Sequence, residues 1–133
     1  MKNKIVIGLL LGGLLGLADG LSSGFYPEVA AVPNKVLIIG CLSSLKGLVG
    51  GLITGAVARK LQNLPLGIVA GFLAFALVTL PAAMGEDPDT HTVHFWEIMI
   101  PGAICGMIVG FATQRYGRVP ATALPATNGG GIR

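Results

Sequence analysis

Lys46 is the residue of this chain whose chemistry most needs an explanation. It lies about halfway along residues 36–58, a predominantly apolar stretch that is long enough to cross a membrane. A charged lysine at the centre of a membrane helix costs about 2.5–3.5 kcal/mol on insertion scales, and such residues rarely face lipid. We therefore expect water, a polar partner or a bound solute beside Lys46.

A polar seam follows the same predicted helix. Ser43, Lys46 and Thr54 recur at helical spacing, so their side chains share one face. Two interpretations are open: a site for an anionic or carbonyl-bearing solute, or a lysine held by backbone carbonyls, hydroxyls or another subunit. No carboxylate is expected at the depth of Lys46, because Asp19 and Glu97 lie at the outer ends of their stretches. The second interpretation is therefore favoured.

Two histidines and a carboxylate form a weak candidate metal site. His91, His94 and Glu97 are spaced at three-residue intervals and would share one face of a helix that began early. Imidazole and carboxylate groups bind zinc and related ions, but this spacing matches no established zinc motif and no cysteine accompanies it. We therefore expect a solvated acidic loop followed by a helix, with neither a metal ion nor another cofactor.

The sequence contains no recognisable catalytic arrangement. No serine lies in a nucleophile elbow, and no glycine-rich phosphate loop follows a strand. Active sites need several convergent functional groups, and none are apparent here. We therefore expect a protein without catalytic residues and without enzymatic activity.

The composition is that of a membrane protein. The 133 residues are 53% hydrophobic and 11% charged, with a net charge of +3 and a mean hydropathy of +0.77. Soluble domains carry about 25% charged residues. Because the charges lie between long apolar stretches, the composition indicates membrane spans and argues against a nucleic-acid partner. The two cysteines, Cys41 and Cys105, lie at different depths, so we expect buried free thiols rather than a disulfide.

Glycine recurs at every fourth position within the apolar stretches. This spacing places the glycines of each series on one helix face, where another backbone can approach closely, as in membrane helix pairs. The four series are Gly8, Gly12, Gly16 and Gly20; Gly47, Gly51 and Gly55; Gly67 and Gly71; and Gly102, Gly106 and Gly110. We expect them to be the packing faces of an all-α bundle. They exceed what one bundle is expected to bury, so at least one face should contact another chain.

We predict one transmembrane domain of four helices over residues 1–116. The predicted spans are residues 5–21, 36–58, 66–84 and 95–115. The first span has the layout of a secretory signal, with Lys2 and Lys4 before an apolar core. Its glycine series continues to Gly20, however, which favours an uncleaved membrane helix. Residues 117–133, rich in glycine, proline and small side chains, are expected to form a flexible cytoplasmic tail.

The charged residues predict the orientation of the helices, because lysine and arginine accumulate at the cytoplasmic ends of membrane helices. In a four-span arrangement, most basic residues share one side: Lys2, Lys4, Arg59, Lys60, Arg115, Arg118 and Arg133. All six acidic residues fall on the opposite side with Lys35: Asp19, Glu28, Glu86, Asp87, Asp89 and Glu97. We therefore predict cytoplasmic N- and C-termini (N-in/C-in) in a plasma (inner) membrane.

Two functions follow from these features, and a metal-dependent enzyme or sensor of the outer face, with its metal at His91 and His94, is a third hypothesis. Abundant packing faces beside scarce chemistry favour a structural or accessory subunit, which packs in a homo-oligomer or against a larger membrane complex. The alternative is a small-solute transporter or channel with its polar seam at Lys46. The expected partners are the lipid bilayer and either further copies of this chain or other membrane subunits, with no nucleic acid.

Overall fold

Long helices joined by short loops make up the fold. The computed structural model describes residues 2–88 and 91–117, so Asp89 and residues 118–133 of the tail predicted over residues 117–133 lie outside the described residues. The helices are α1 (Lys2–Ser22), the single-turn α2 (Pro27–Ala30), α3 (Lys35–Lys60), α4 (Leu64–Ala83) and α5 (Phe95–Tyr116), with a 3-10 turn at Ser23–Phe25. No strand occurs within the described ranges.

Four helical segments are long and apolar enough to cross a membrane. They are Lys4–Phe25, Lys35–Lys60, Leu64–Ala83 and Phe95–Tyr116. The exterior of the bundle is strongly apolar, since Leu10, Leu14 and Leu77 are each 59–69% exposed. Large apolar side chains spread over the whole surface suit lipid better than water. The predictions of an all-α class and of four candidate membrane helices are confirmed.

The tightest packing joins α1 to α3 in antiparallel directions along their glycines. A Cβ added at Gly12 would lie 2.9 Å from the Cα of Gly51 and would collide with the carbonyl oxygen of Gly47. Near the other end of the pair, a Cβ at Gly20 would lie 2.6 Å from the Cα of Gly40. The two backbones therefore touch directly, which favours dispersion contacts and weak Cα–H···O interactions between them.

A second antiparallel glycine contact joins α4 to α5. A Cβ added at Gly71 would lie 2.9 Å from the Cα of Gly110 and would collide with the carbonyl oxygen of Gly106. Towards the loop between these helices, the Thr79 side chain occupies the space beside Gly102. The bundle therefore consists of two glycine-paired hairpins, α1/α3 and α4/α5.

All glycines of the four series are buried inside this chain. Each has atoms of another helix of the same chain within 4 Å of the place where a Cβ would lie. The premise that one bundle cannot bury four glycine faces is therefore wrong. The series on α1 and α3 cover each other, and so do those on α4 and α5.

The two hairpins meet in the middle of the bundle and at the end where α1 begins, where Gln114 of α5 bonds to Lys4 and Ala58. Phe75, only 4% exposed, packs between Gly50 of α3 and Gly106 of α5. Lys4, Arg59, Lys60 and Arg115 lie at this end of their helices, which we call the basic end. The opposite end carries the connections over residues 23–34 and 84–94 and the described acidic residues, and we call it the acidic end.

We predict that Gly12→Ala destabilises the protein more than Gly13→Ala does. The Cβ at position 12 would meet backbone atoms of α3, whereas the Cβ at position 13 would meet only the Leu48 side chain, whose Cδ2 lies 2.8 Å away and can rotate. Overpacking of this kind costs about 1–3 kcal/mol. Unfolding by sodium dodecyl sulfate in mixed micelles measures the difference, and equal stability of the two variants would contradict it.

Candidate functional site

A cavity of about 500 Å³ opens at the acidic end between the two hairpins. Its walls come from α1, α3, the connection over residues 23–34, the end of α4 and the start of α5. We call this cavity the vestibule. Its rim carries the charged or titratable side chains of Glu28, Lys35, Asp87, His94 and Glu97. Its volume lies within the range that is usual for small-molecule sites.

Asp19 and Lys46 form the floor of the vestibule. Both are partly buried, and both also line a void of about 10 Å³ beneath the floor, together with Phe75, Thr79 and Cys105. The two charges are close enough to interact electrostatically. Among the described residues, however, neither side chain forms an ion pair within 4.0 Å. The floor therefore presents two opposite charges side by side without a direct bond.

Asp19 does not lie at the depth of Lys46, but it lies closer to Lys46 than its place at the outer end of the first predicted span suggested. A Cβ at Gly16 would lie 3.0 Å from the Cα of Gly47, and Gly20 packs on Gly40. This register places Asp19 about one helical turn above Lys46, on the side towards the acidic end. A lysine side chain is long enough to extend over such a distance and keep its ammonium group in a wetter region.

The predicted polar seam is only partly present at the vestibule. Ser43, which is 6% exposed, lines the cavity together with Lys46. Thr54 is fully buried, and its hydroxyl donates to the carbonyl oxygen of Gly50 in the same helix at 2.7 Å. The structure therefore brings Ser43 and Lys46 together, while Thr54 does not line the vestibule.

The rim of the vestibule is predominantly acidic. Lys35 Nζ lies 3.4 Å from both carboxylate oxygens of Asp87, and these side chains are only 16% and 20% exposed. This ion pair ties the start of α3 to the connection between α4 and α5. Glu28 and Glu97 add two further carboxylates to the lining, so carboxylates outnumber lysines at the rim.

The candidate metal ligands are not gathered into one site. His91 Nδ1 lies 3.1 Å from Glu86 Oε1, whereas His94 Nδ1 lies 2.6 Å from Glu97 Oε2. Across residues 2–88 and 91–117, no group of three or more His, Cys, Asp or Glu side chains is arranged to hold a metal ion. His94 and Glu97 line the vestibule, while His91 does not.

A polar clasp closes the basic end. Lys4 Nζ donates to the carbonyl oxygen of Ala58 and to Gln114 Oε1, both at 3.0 Å. Gln114 Nε2 in turn donates to the carbonyl oxygen of Ala58 at 3.3 Å and to that of Leu61. These carbonyls end α3, where no helical donor remains for them. The Lys4 charge also complements the negative end of the α3 dipole. The clasp thus joins three helices.

Sequence reasoning missed Gln114, although a signal for it existed. Gln114 follows Gly110 by four residues and therefore continues the glycine face of α5. An amide on a packing face of an apolar helix needs hydrogen-bond partners inside the bundle. Gln114 is 6% exposed, and its side chain occupies the space beside Gly67 of α4.

The two cysteines are free, as expected, but they are not both buried. Cys105 is partly buried and lines the small void below Lys46. Cys41 is exposed on the outer surface of the bundle, which corrects the expectation of a buried thiol. An exposed side chain at this position in a membrane-spanning helix is compatible with contact to lipid.

The hydropathy and the helix lengths define a small multi-pass membrane protein. Comparison with known proteins adds no closer assignment: no family model, no curated protein and no solved structure matches the chain. The vestibule and the residues that line it are therefore the features of the molecule that bear on its function.

We predict that Gln114→Ala lowers the free energy of unfolding by about 1–3 kcal/mol, because the buried Ala58 carbonyl, the partly buried Leu61 carbonyl and the Lys4 ammonium each lose a partner. The matched control is Gln62→Ala, since Gln62 is exposed in the α3–α4 connection. Unfolding in mixed micelles compares the two variants. A loss at position 62 as large as that at position 114 would argue against the clasp.

A second prediction tests whether the vestibule contains water. Single cysteines are introduced at position 98 or 100 of a protein that carries Cys41→Ser and Cys105→Ser. The cysteine at position 98 should react at least about tenfold faster with a charged methanethiosulfonate than the one at position 100, because this reagent needs a hydrated thiolate. Ile98 lines the vestibule, whereas Ile100, at nearly the same depth on α5, is 53% exposed on the outer surface. Equal rates in native membranes would show that the cavity is dry.

Proposed function

We propose that the protein is a small-solute transporter or channel of the plasma (inner) membrane. The observation that carries this proposal is the vestibule, which leads from the acidic end to Lys46 and Asp19 within the membrane-spanning helices. Charged residues at such depth commonly mark solute or ion pathways. A concave, mainly apolar cavity with a few polar groups is also the usual form of a small-molecule site.

The energetics of the floor support a binding role. A buried charge pair contributes to stability only when good geometry and hydrogen bonds compensate for the lost hydration. Asp19 and Lys46 form no direct ion pair with each other, so each charge depends on water or on a bound solute in the vestibule. A lysine retained only for structure would be expected to form direct bonds, as Lys4 does at the basic end.

We further propose that both termini face the cytoplasm. Basic residues at the ends of the helices support a cytoplasmic position for the basic end, and in that orientation the vestibule opens to the outside. Phe75 lies beneath the floor, and the clasp of Lys4 and Gln114 lies beyond it. This arrangement corresponds to an outward-open state whose cytoplasmic side is closed, which suits a transporter that alternates access better than a continuously open channel.

The other hypothesis, a structural or accessory subunit of a homo-oligomer or of a larger complex, stays a prediction. Its motivation was a surplus of glycine packing faces, and those faces pair within the described part of this chain. Its test is copurification from native membranes. A stoichiometric partner, or a stable oligomer in mild detergent, would favour it.

Flux into proteoliposomes tests the transport proposal. We expect the purified protein to raise the uptake of at least one solute in a panel of labelled amino acids, organic amines and carboxylates. Lys46→Met should reduce that uptake at least about tenfold, the size expected for loss of one charged hydrogen bond. The matched control is Lys60→Met, because Lys60 is an exposed lysine at the end of the same helix.

Two outcomes would contradict the proposal. One is uptake no faster than in protein-free liposomes for every solute in the panel. The other is uptake that Lys46→Met leaves unchanged in correctly folded protein. Equal loss in the Lys60 control would mean that a general effect of charge removal, rather than the vestibule, causes the defect.

A further inference from the structure

We propose that the vestibule binds small zwitterions, namely solutes of the amino-acid class that carry an ammonium group, a carboxylate and an apolar chain. This inference rests on the proposed function and names its substrate class. The observations that carry it are the two charges of the floor, the acidic rim and the apolar walls.

The floor matches a solute with two opposite charges. The Lys46 ammonium can receive a carboxylate and the Asp19 carboxylate can receive an ammonium, because neither group has an ion-pair partner within 4.0 Å among the described residues. A solute with a single charge would satisfy one of them and leave the other beside a like charge or without a partner. Charged groups that lose hydration without gaining a partner weaken binding strongly.

The rim and the floor exclude different solutes. Glu28, Asp87 and Glu97 outnumber Lys35 at the rim, so a free anion is repelled before it reaches the floor. A free cation is attracted by the rim but meets the positive charge of Lys46 at the floor. A zwitterion has no net charge, so it passes the rim without net repulsion and finds both of its partners at the floor.

The walls favour an apolar chain on the solute. Between the rim and the floor, the lining includes Ile39, Leu42, Leu45, Ala82 and Ile98. These side chains gain by covering an aliphatic group of the solute, at about 25 cal/mol per Å² of apolar surface removed from water. The cavity of about 500 Å³ is large enough for one such amino acid with water, or for a short peptide.

The test compares three ligands that share one aliphatic chain. Leucine carries both charges, leucinamide only the ammonium, and 4-methylpentanoate only the carboxylate; leucyl-leucine serves as a longer zwitterion. Binding to the purified full-length protein is measured by titration calorimetry and by the ligand-induced rise in melting temperature. We expect a zwitterion to bind and each singly charged analogue to bind at least about tenfold more weakly, as expected for loss of one charged contact.

Variants assign each charge to its partner. Lys46→Met should weaken leucine binding at least about tenfold and leave leucinamide binding unchanged or stronger, because a like charge is removed. Asp19→Asn should weaken leucine binding and leave 4-methylpentanoate binding unchanged or stronger. Lys60→Met should change none of these affinities. The ligand series on the unmodified protein keeps the test decisive if a variant fails to fold.

Several results would overturn the inference. Leucinamide or 4-methylpentanoate binding as tightly as leucine would show that the site recognises one charge only. Binding of neither leucine nor leucyl-leucine would exclude the class. If Lys46-dependent flux of another solute persists in that case, the substrate class is wrong and the transport proposal stands. If that flux is also absent, both proposals fail.

Discussion

Direct backbone contact between α1 and α3 is the constraint on which the rest of the structure depends. Gly12, Gly16 and Gly20 meet backbone atoms of α3, and any side chain on these faces would push the two helices apart. This contact also fixes the register of the two helices. Because of that register, Asp19 and Lys46 reach the same cavity from different helices. The glycine faces therefore have a role beyond helix packing, since they align the two charges of the floor.

The vestibule exists because the two hairpins are in contact along only part of their length. Towards the basic end, Phe75 packs into the space left by Gly50 and Gly106, and the clasp of Lys4 and Gln114 adds hydrogen bonds. Towards the acidic end the facing side chains include several charged groups. Closing the hairpins there would remove those groups from water, at a cost of several kcal/mol per ion. Packing thus holds the hairpins together towards the basic end, whereas the cost of desolvating charged groups keeps them apart at the acidic end.

The helices and the membrane class could be predicted from the sequence, because apolar stretches and their interruptions are local properties. The glycine spacing likewise identified buried faces, but it could not identify the partner of each face, which depends on how the helices pair. The proximity of Asp19 to Lys46 could not be predicted for a related reason. Its depth was counted along α1 alone, whereas its distance from Lys46 depends on the register of α1 against α3 and on the length of the lysine side chain. Gln114 was missed although it continues the glycine series of α5.

The placement of Lys46 shows how stability and access to the vestibule are connected. A lysine at mid-membrane depth is tolerated when its ammonium group can reach water or a counter-charge. Here both lie towards the acidic end, since Asp19 and the open cavity are on that side. Towards the basic end, the buried aromatic ring of Phe75 fills the space between the helices. The same asymmetry that makes the lysine tolerable therefore directs its charge into the vestibule, where a solute entering from the acidic end would meet it.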